Sequence, residues 1–386
     1  MQHHTFSVLE DNELGDLLDI VAQSHVKLVN FYVEKKDSFF QIDINYEGPN
    51  LTAVLQAWHQ GPCHTDNVIA APSLEEGLEK YTVTLIGRSI AAAQLARVCK
   101  ALNLKNLNIL GLRRLSGESE TISGKKTCYE ILTIGKAHLV DKLRPCLKKL
   151  GEEIGLDCCI NQTSWRRDQI ALVVFDMDST LIQCECIDEM ARRHGVGEKV
   201  SLITAAAMRG EIDFSASFTR RVALLEGLSE ATLQEITAKL PLTEGVVYLM
   251  QSLKKMGLKT ALFSGGFYYF ANHLKDTLAI DFVYANELPM ANGQVTGKVS
   301  SLIVDGQQKK EKLMEIAAGE KLHLSQIVAV GDGANDLPMI KVAGMGVAFH
   351  AKPLVRQEAA NAISTVGLDG LLYLLGVSDD ELNKSD

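Results

Sequence analysis

The chain has 386 residues, 46% apolar and 23% charged, a globular composition with enough material for a sizeable core, which excludes general disorder. Its formal net charge of −9 argues against wrapping nucleic acid or coating an anionic membrane, yet leaves room for a locally cationic site that takes a phosphorylated substrate. The opening residues MQHHTFSVLEDNELGD carry neither the basic nor the apolar stretch of a leader, and no apolar run approaches the roughly 18 residues of a membrane span. Eight cysteines show no CxxC pair and no zinc-like spacing with histidine. Cys158–Cys159 and Cys184/Cys186 sit too close in sequence for easy disulfides, so reduced thiols in the cytoplasm are expected.

The first 165 residues read as two successive βαββαβ units. Strands are predicted over Thr5–Leu9, Lys27–Val33 and Phe39–Asn45, helices over Glu13–Ser24 and Leu51–His59, and a short strand near Asn67–Ala70. The order then returns with strands at Tyr81–Ile86, Asn106–Leu112, Thr127–Ile134 and Leu156–Ile160, and helices at Ile90–Leu102 and His138–Ile154. The polar stretch SGESETISGKK reads as a loop between the second and third strands. Each unit is expected to form a ferredoxin-like antiparallel sheet with two helices on one face. The predicted division is 1–77, 78–165 and 166–386. The pattern of the first two resembles the ACT domain, which implies an amino-acid effector or a pairing surface; Gly87-Arg88-Ser89 is the nearest candidate for a ligand turn.

From Trp165 the pattern changes to α/β. Ile170–Phe175, Thr260–Phe263, Ile327–Val330 and Gly346–Phe349 are continuous apolar runs, as strands buried on both faces require. Helical stretches separate them, predicting a doubly wound parallel sheet whose ligands collect at the carboxyl ends of strands. Between the first and second of these strands, Ile187–Leu242 shows no strand pattern and reads as amphipathic helices, including Glu198–Arg209 and Phe214–Glu226. A helical cap at about 187–243 is expected.

The polar residues fall at those strand ends. Asp176-Met177-Asp178-Ser179-Thr180 follows the first run, and two carboxylates there are costly to bury without a cation or substrate. A DxD pair alone also fits a solvated turn. Ser264-Gly265-Gly266 ends the second run with a hydroxyl and free N–H groups suited to an oxyanion. Lys309 lies in a Lys-Lys-Glu-Lys cluster that could equally be a solvated helix face. Gly331-Asp332-Gly333-Ala334-Asn335-Asp336 places a dense acidic turn after the third run, with glycines that permit sharp bends.

Taken in order, DxDST, S-G, Lys and GDGxND resemble the haloacid dehalogenase superfamily of phosphotransferases. FDMDSTLIQCECIDE, RRVALLEGL, FSGGF and VAVGDGANDLPM are most similar to members that hydrolyse O-phospho-L-serine, over about Asp168 to Leu375. The resemblance implies one Mg²⁺ held by Asp176, Asp332 and the Asp178 carbonyl, with Asp336 behind them. It implies Asp176 as nucleophile, Asp178 as proton donor and acceptor, and Ser264, Gly265, Lys309 and Asn335 around the phosphoryl oxygens. Glu185 and Arg221 match positions that read the ammonium and carboxylate of serine, and an arginine can grip a carboxylate bidentately. L-serine as product implies the last step of serine biosynthesis, and a homodimer is compatible with the ACT-like units. The alternatives are a related small phosphomonoesterase, a phosphotransferase to homoserine, or a non-enzymatic amino-acid sensor.

Overall fold

The computed structural model describes residues 2–8, 12–23, 27–35, 40–47, 77–117, 126–137, 139–163, 169–300 and 302–383. Contacts divide the chain into two compact units, Met1–Arg167 together with Gly370–Asp386, and Asp168–Asp369.

The first unit carries β1 (Gln2–Val8), α1 (Asn12–Gln23), β2 (Lys27–Lys35) and β3 (Phe40–Glu47), then β4 (Leu78–Gly87), α2 (Ala92–Asn103), β5 (Asn108–Arg114), β6 (Thr127–Lys136), α3 (Leu139–Ile154) and β7 (Asp157–Gln162). The predicted helix Leu51–His59 and strand Asn67–Ala70 lie outside the described residues. The second repeat has the order β5-β6-β4-β7, the arrangement of a ferredoxin-like unit. One feature was not visible in the sequence. The two repeats share a single sheet, β1-β3-β2-β5-β6-β4-β7, joined where Val33 faces Leu112 and Glu34 faces Gly111 across β2 and β5. A Cβ at Gly111 would stand 3.1 Å from the Val33 carbonyl oxygen, so a glycine eases that junction.

Helices α1 and α2 pack together above the sheet through Leu14, Leu17, Leu18 and Val21 on one side and Leu95, Ala96 and Cys99 on the other. The Lys100 stem crosses Gly15, where a Cβ would lie 2.7 Å from Lys100 Cγ, and its ammonium bridges Asp16 at 2.8 Å and Asp19 at 2.5 Å. The C-terminal stretch joins this unit by specific bonds. The Tyr373 hydroxyl donates to the Asp379 carboxylate at 3.0 Å, which also accepts the Gly117 N–H at 2.6 Å, while the Asp379 N–H donates to the Leu115 carbonyl at 2.9 Å.

The second unit begins with β8 (Leu172–Phe175), whose four residues are all buried. The predicted helical segment follows as α4 (Cys186–Arg193), α5 (Gly197–Met208), α6 (Phe214–Ala223) and α7 (Glu230–Thr237). Caps define its starts: the Asp213 carboxylate accepts the Ala216 N–H at 2.8 Å and the Ser229 hydroxyl accepts the Thr232 N–H at 3.2 Å. After it come α8 (Val246–Lys255), β9 (Lys259–Phe267), α9 (Tyr268–Leu278), β10 (Phe282–Asn286), the small hairpin β11 (Met290–Ala291) and β12 (Gln294–Val295), α10 (Gly306–Gly319), β13 (Ile327–Gly331), α11 (Leu337–Val342), β14 (Met345–Phe349), α12 (Pro353–Glu358) and β15 (Asn361–Ile363).

The main sheet is parallel throughout, in the order β10-β9-β8-β13-β14-β15. The chain winds outward from β8 in one direction and from β13 in the other, so the carboxyl ends of β8 and β13 flank the switch point. Edge strands β10 and β15 went unpredicted, because one is half-exposed and the other only three residues long. No helix among the described residues is long and apolar enough to cross a membrane, and every described cysteine is a free thiol.

Candidate active site

Asp176 follows β8 directly, and its N–H continues the sheet by donating to the Val330 carbonyl at 2.9 Å. The next strand over ends in Gly331 and delivers Asp332 and Asp336. Gly331 is required there, since a Cβ would meet the Asp336 carboxyl carbon at 2.5 Å. Asp176, Asp332 and Asp336 are all buried and can each turn one carboxylate oxygen to within 4.8 Å of the others.

Lys309 answers part of this charge. It sits in the first turn of α10, where the Asp305 carboxylate caps the helix by accepting the Gln308 N–H at 2.9 Å. Its ammonium is wholly buried, donating to Asp176 and, at 2.7 Å, to Asp336. Asp336 also accepts the Gly333 N–H at 3.0 Å. Gly306 permits the close approach, because a Cβ there would stand 2.6 Å from the Asn335 carbonyl oxygen. Of the four charged residues in the Lys-Lys-Glu-Lys cluster, Lys309 is the one turned into the core.

Three buried carboxylates against one ammonium leave the site short of positive charge. Burial, then Asp336, push the Asp176 carboxyl well above the ordinary carboxylate range, against the pull of Lys309. Burial opposes the Lys309 ammonium, but Asp176 and Asp336 outweigh it and hold its pKa above the usual lysine value. Asp332 is raised to about 6 by burial and Asp336, while Lys352, 3.9 Å from its carboxylate, draws it back. A divalent cation would relieve all three carboxylates, and their hard oxygen donors suit Mg²⁺.

Asp178 points elsewhere. Its carboxylate accepts the Cys186 N–H at 3.0 Å at the start of α4, and burial together with nearby Glu185 raises its pKa to about 7. Gly266 makes room for it: a Cβ there would come 2.9 Å from Asp178 Oδ2. Ser264, fully buried in the carboxyl-terminal half of β9, accepts the Gly266 N–H on its hydroxyl at 2.8 Å. Asn335 borders the same stretch of β9, its Nδ2 lying 4.0 Å from where a Gly265 Cβ would be.

Glu185 and Arg221 come from the inserted helices. Glu185 is exposed just before α4 and accepts the Ser179 hydroxyl at 2.9 Å. Arg221, on α6, feels the carboxylates of Asp188, Glu185 and Asp178, while burial lowers its pKa. Its Nε is buried without a hydrogen-bond partner among the described residues, a costly state that an anionic ligand would remedy. Sequence reading missed two contributors: the Cys186 N–H, which no side-chain pattern can reveal, and Lys352, a lone lysine after β14.

A doubly wound sheet with helices inserted after its first strand and an acidic cluster at the switch point is the framework of the haloacid dehalogenase-like hydrolases, and that family model matches residues 170–344. A curated phosphoserine phosphatase of Streptomyces coelicolor is 36% identical over 344 residues, 87% of this chain and 81% of the relative. One from Idiomarina loihiensis is 50% identical over 205 residues, 53% of this chain and 92% of the relative. The crystal structure of a probable phosphoserine phosphatase from Vibrio cholerae, in unliganded form, superposes with a TM-score of 0.61 at 32% identity, covering 78% of this chain and 88% of that one. The chain belongs to the phosphoserine phosphatase family of this superfamily.

Proposed function

We propose that this enzyme hydrolyses O-phospho-L-serine to L-serine and phosphate through a phosphorylated Asp176, with Mg²⁺ as cofactor, as the closing step of serine biosynthesis. The observation that carries it is the company Asp176 keeps: a buried strand-end carboxylate beside two more, with the buried Lys309 ammonium bonded to Asp176 and Asp336. Such a site needs cations and phosphoryl oxygens to balance it. Asp176 and Asp332, with the Asp178 carbonyl, would hold Mg²⁺, and Asp336 would orient them. When bound, the ion supplies charge neutralisation for the phosphoryl group.

The chain's own residues do the rest. A carboxylate oxygen of Asp176 attacks phosphorus as the bond to the seryl oxygen breaks, and Asp178 gives that oxygen its proton. Asp178 then takes a proton from water, whose oxygen attacks the acyl phosphate, releasing phosphate and restoring Asp176. Lys309, Ser264, the Gly265 N–H and Asn335 hold the phosphoryl oxygens meanwhile. Arg221 binds the substrate carboxylate and Glu185 its ammonium. The N-terminal repeats would then bind an amino-acid effector or serve as a pairing surface compatible with a homodimer, and the enzyme would work in the cytoplasm.

The test is phosphate release from phosphoserine, phosphothreonine, phosphoethanolamine and sugar phosphates, with EDTA and with Mg²⁺ restored. Phosphoserine should lead the panel by at least tenfold, EDTA should abolish turnover, and Mg²⁺ should return it. Equal rates on sugar phosphates, or indifference to EDTA, would overturn the proposal.

A further inference from the structure

Asn286 ends the edge strand β10, an uncommon place for an asparagine, and is buried. A buried amide must find partners for both its oxygen and its nitrogen. Here Nδ2 donates to the Gly265 carbonyl at 2.9 Å, and Oδ1 accepts the Val304 N–H at 2.8 Å. The pairing of β10 with β9 shifts register between Tyr284 and Asn286, which lies opposite Phe267; irregularities of this kind re-aim a side chain. The two bonded segments are already close, since a Cβ at Gly265 would lie 3.5 Å from the Val304 carbonyl oxygen. One carries Ser264 and Gly265. The other leads through Asp305, the cap of α10, to Lys309.

We propose that Asn286 is a positioning residue that fixes the Ser264–Gly265 stretch of β9 against the segment bearing Lys309, so that the Gly265 N–H and the Lys309 ammonium converge on one phosphoryl group. The proposal rests on the reading that these residues hold that group. Aspartate in this place keeps the acceptor for Val304 but loses the donor to Gly265, and leucine loses both. Small misplacements of groups that bind the transition state cost rate more than substrate affinity.

Asn286→Asp and Asn286→Leu are to be assayed on phosphoserine and on p-nitrophenyl phosphate, with inhibition by orthovanadate and urea unfolding measured alongside. We expect kcat to fall at least tenfold on both substrates and the orthovanadate inhibition constant to rise by a similar factor, while KM moves less than threefold. A purely structural asparagine would shift the urea midpoint and leave kcat and vanadate inhibition of the folded enzyme unchanged, which would overturn the proposal. So would a loss confined to phosphoserine. Ser264→Ala is the control: if it does not weaken orthovanadate, the underlying site assignment fails; if it does and the Asn286 variants do not, the present proposal alone fails. Should neither variant fold, hydrogen exchange in the wild-type enzyme decides. Orthovanadate with Mg²⁺ should slow exchange of the Val304 amide several-fold, and an unchanged rate would sink the idea.

Discussion

The floor of the site and the helices inserted beside it satisfy their charges in opposite ways. On the floor, Asp176, Lys309 and Asp336 are buried and bonded to one another. On the inserted helices, Glu185 is exposed and bonded to a neighbouring hydroxyl, and Arg221 keeps a buried Nε with no acceptor among the described residues. The groups assigned to the phosphoryl transfer are therefore assembled before substrate arrives, as electrostatic preorganisation requires. The groups assigned to the serine moiety wait for ligand atoms to complete them. Under that assignment, chemistry common to phosphate monoesters would be built into the core, and discrimination among them would fall to the helices added after β8.

The sharpest break in this comparison is at the floor. Asp176→Asn keeps the size and buried position of the side chain but removes its nucleophilic charge. Turnover should fall about 10⁴-fold or more on every phosphate monoester alike, and acid-quenched wild-type enzyme should carry phosphate on Asp176. Label found on Ser264 or on a histidine would reassign the nucleophile.

Lys309 tests the same floor through stability. Lys309→Met leaves Asp176 and Asp336 without their shared ammonium, and breaking a buried ion pair from one side costs about 3–5 kcal/mol. Urea unfolding in EDTA should show that loss. Added Mg²⁺ should recover part of it, because a ligand that binds only the folded state stabilises it in proportion to its occupancy. An unchanged midpoint in EDTA would mean that the lysine does not balance the cluster.

Much of this floor could be read in advance, for physical reasons. A strand buried on both faces must be continuously apolar, so β8, β9, β13 and β14 announce themselves, and carboxylates placed right after such runs have nowhere to hide. Lys309 was legible only through family resemblance: its own neighbourhood looks like a solvated helix face, and only the packing of α10 against the Asn335 turn buries it. Asn286 sits in FVYAN, a strand too exposed to show the apolar pattern, and its partners lie 21 and 18 residues away. The shared sheet of the N-terminal unit escaped for a similar reason. Two residue pairs between β2 and β5 join it, and no local pattern encodes so short a non-local contact. The C-terminal stretch likewise reads as a continuation of the second unit, yet Tyr373 and Asp379 bond it into the first.

The smallest expected effect, and the one that sharpens the comparison most, belongs to Arg221. If its Nε awaits the substrate carboxylate, Arg221→Ala should cost about 2–4 kcal/mol in kcat/KM on phosphoserine, the usual loss when one partner of a buried charged pair is removed. Phosphoethanolamine carries the same phosphate and ammonium but no carboxylate, so its kcat/KM should hardly move. Glu185→Gln should weaken both substrates, since both present the ammonium assigned to Glu185. The contrast separates recognition from architecture. An arginine that merely braces α6, or that binds phosphate, would lower both substrates equally when removed. In that event discrimination would have to reside elsewhere on the inserted helices, while the floor and its chemistry would stand as described.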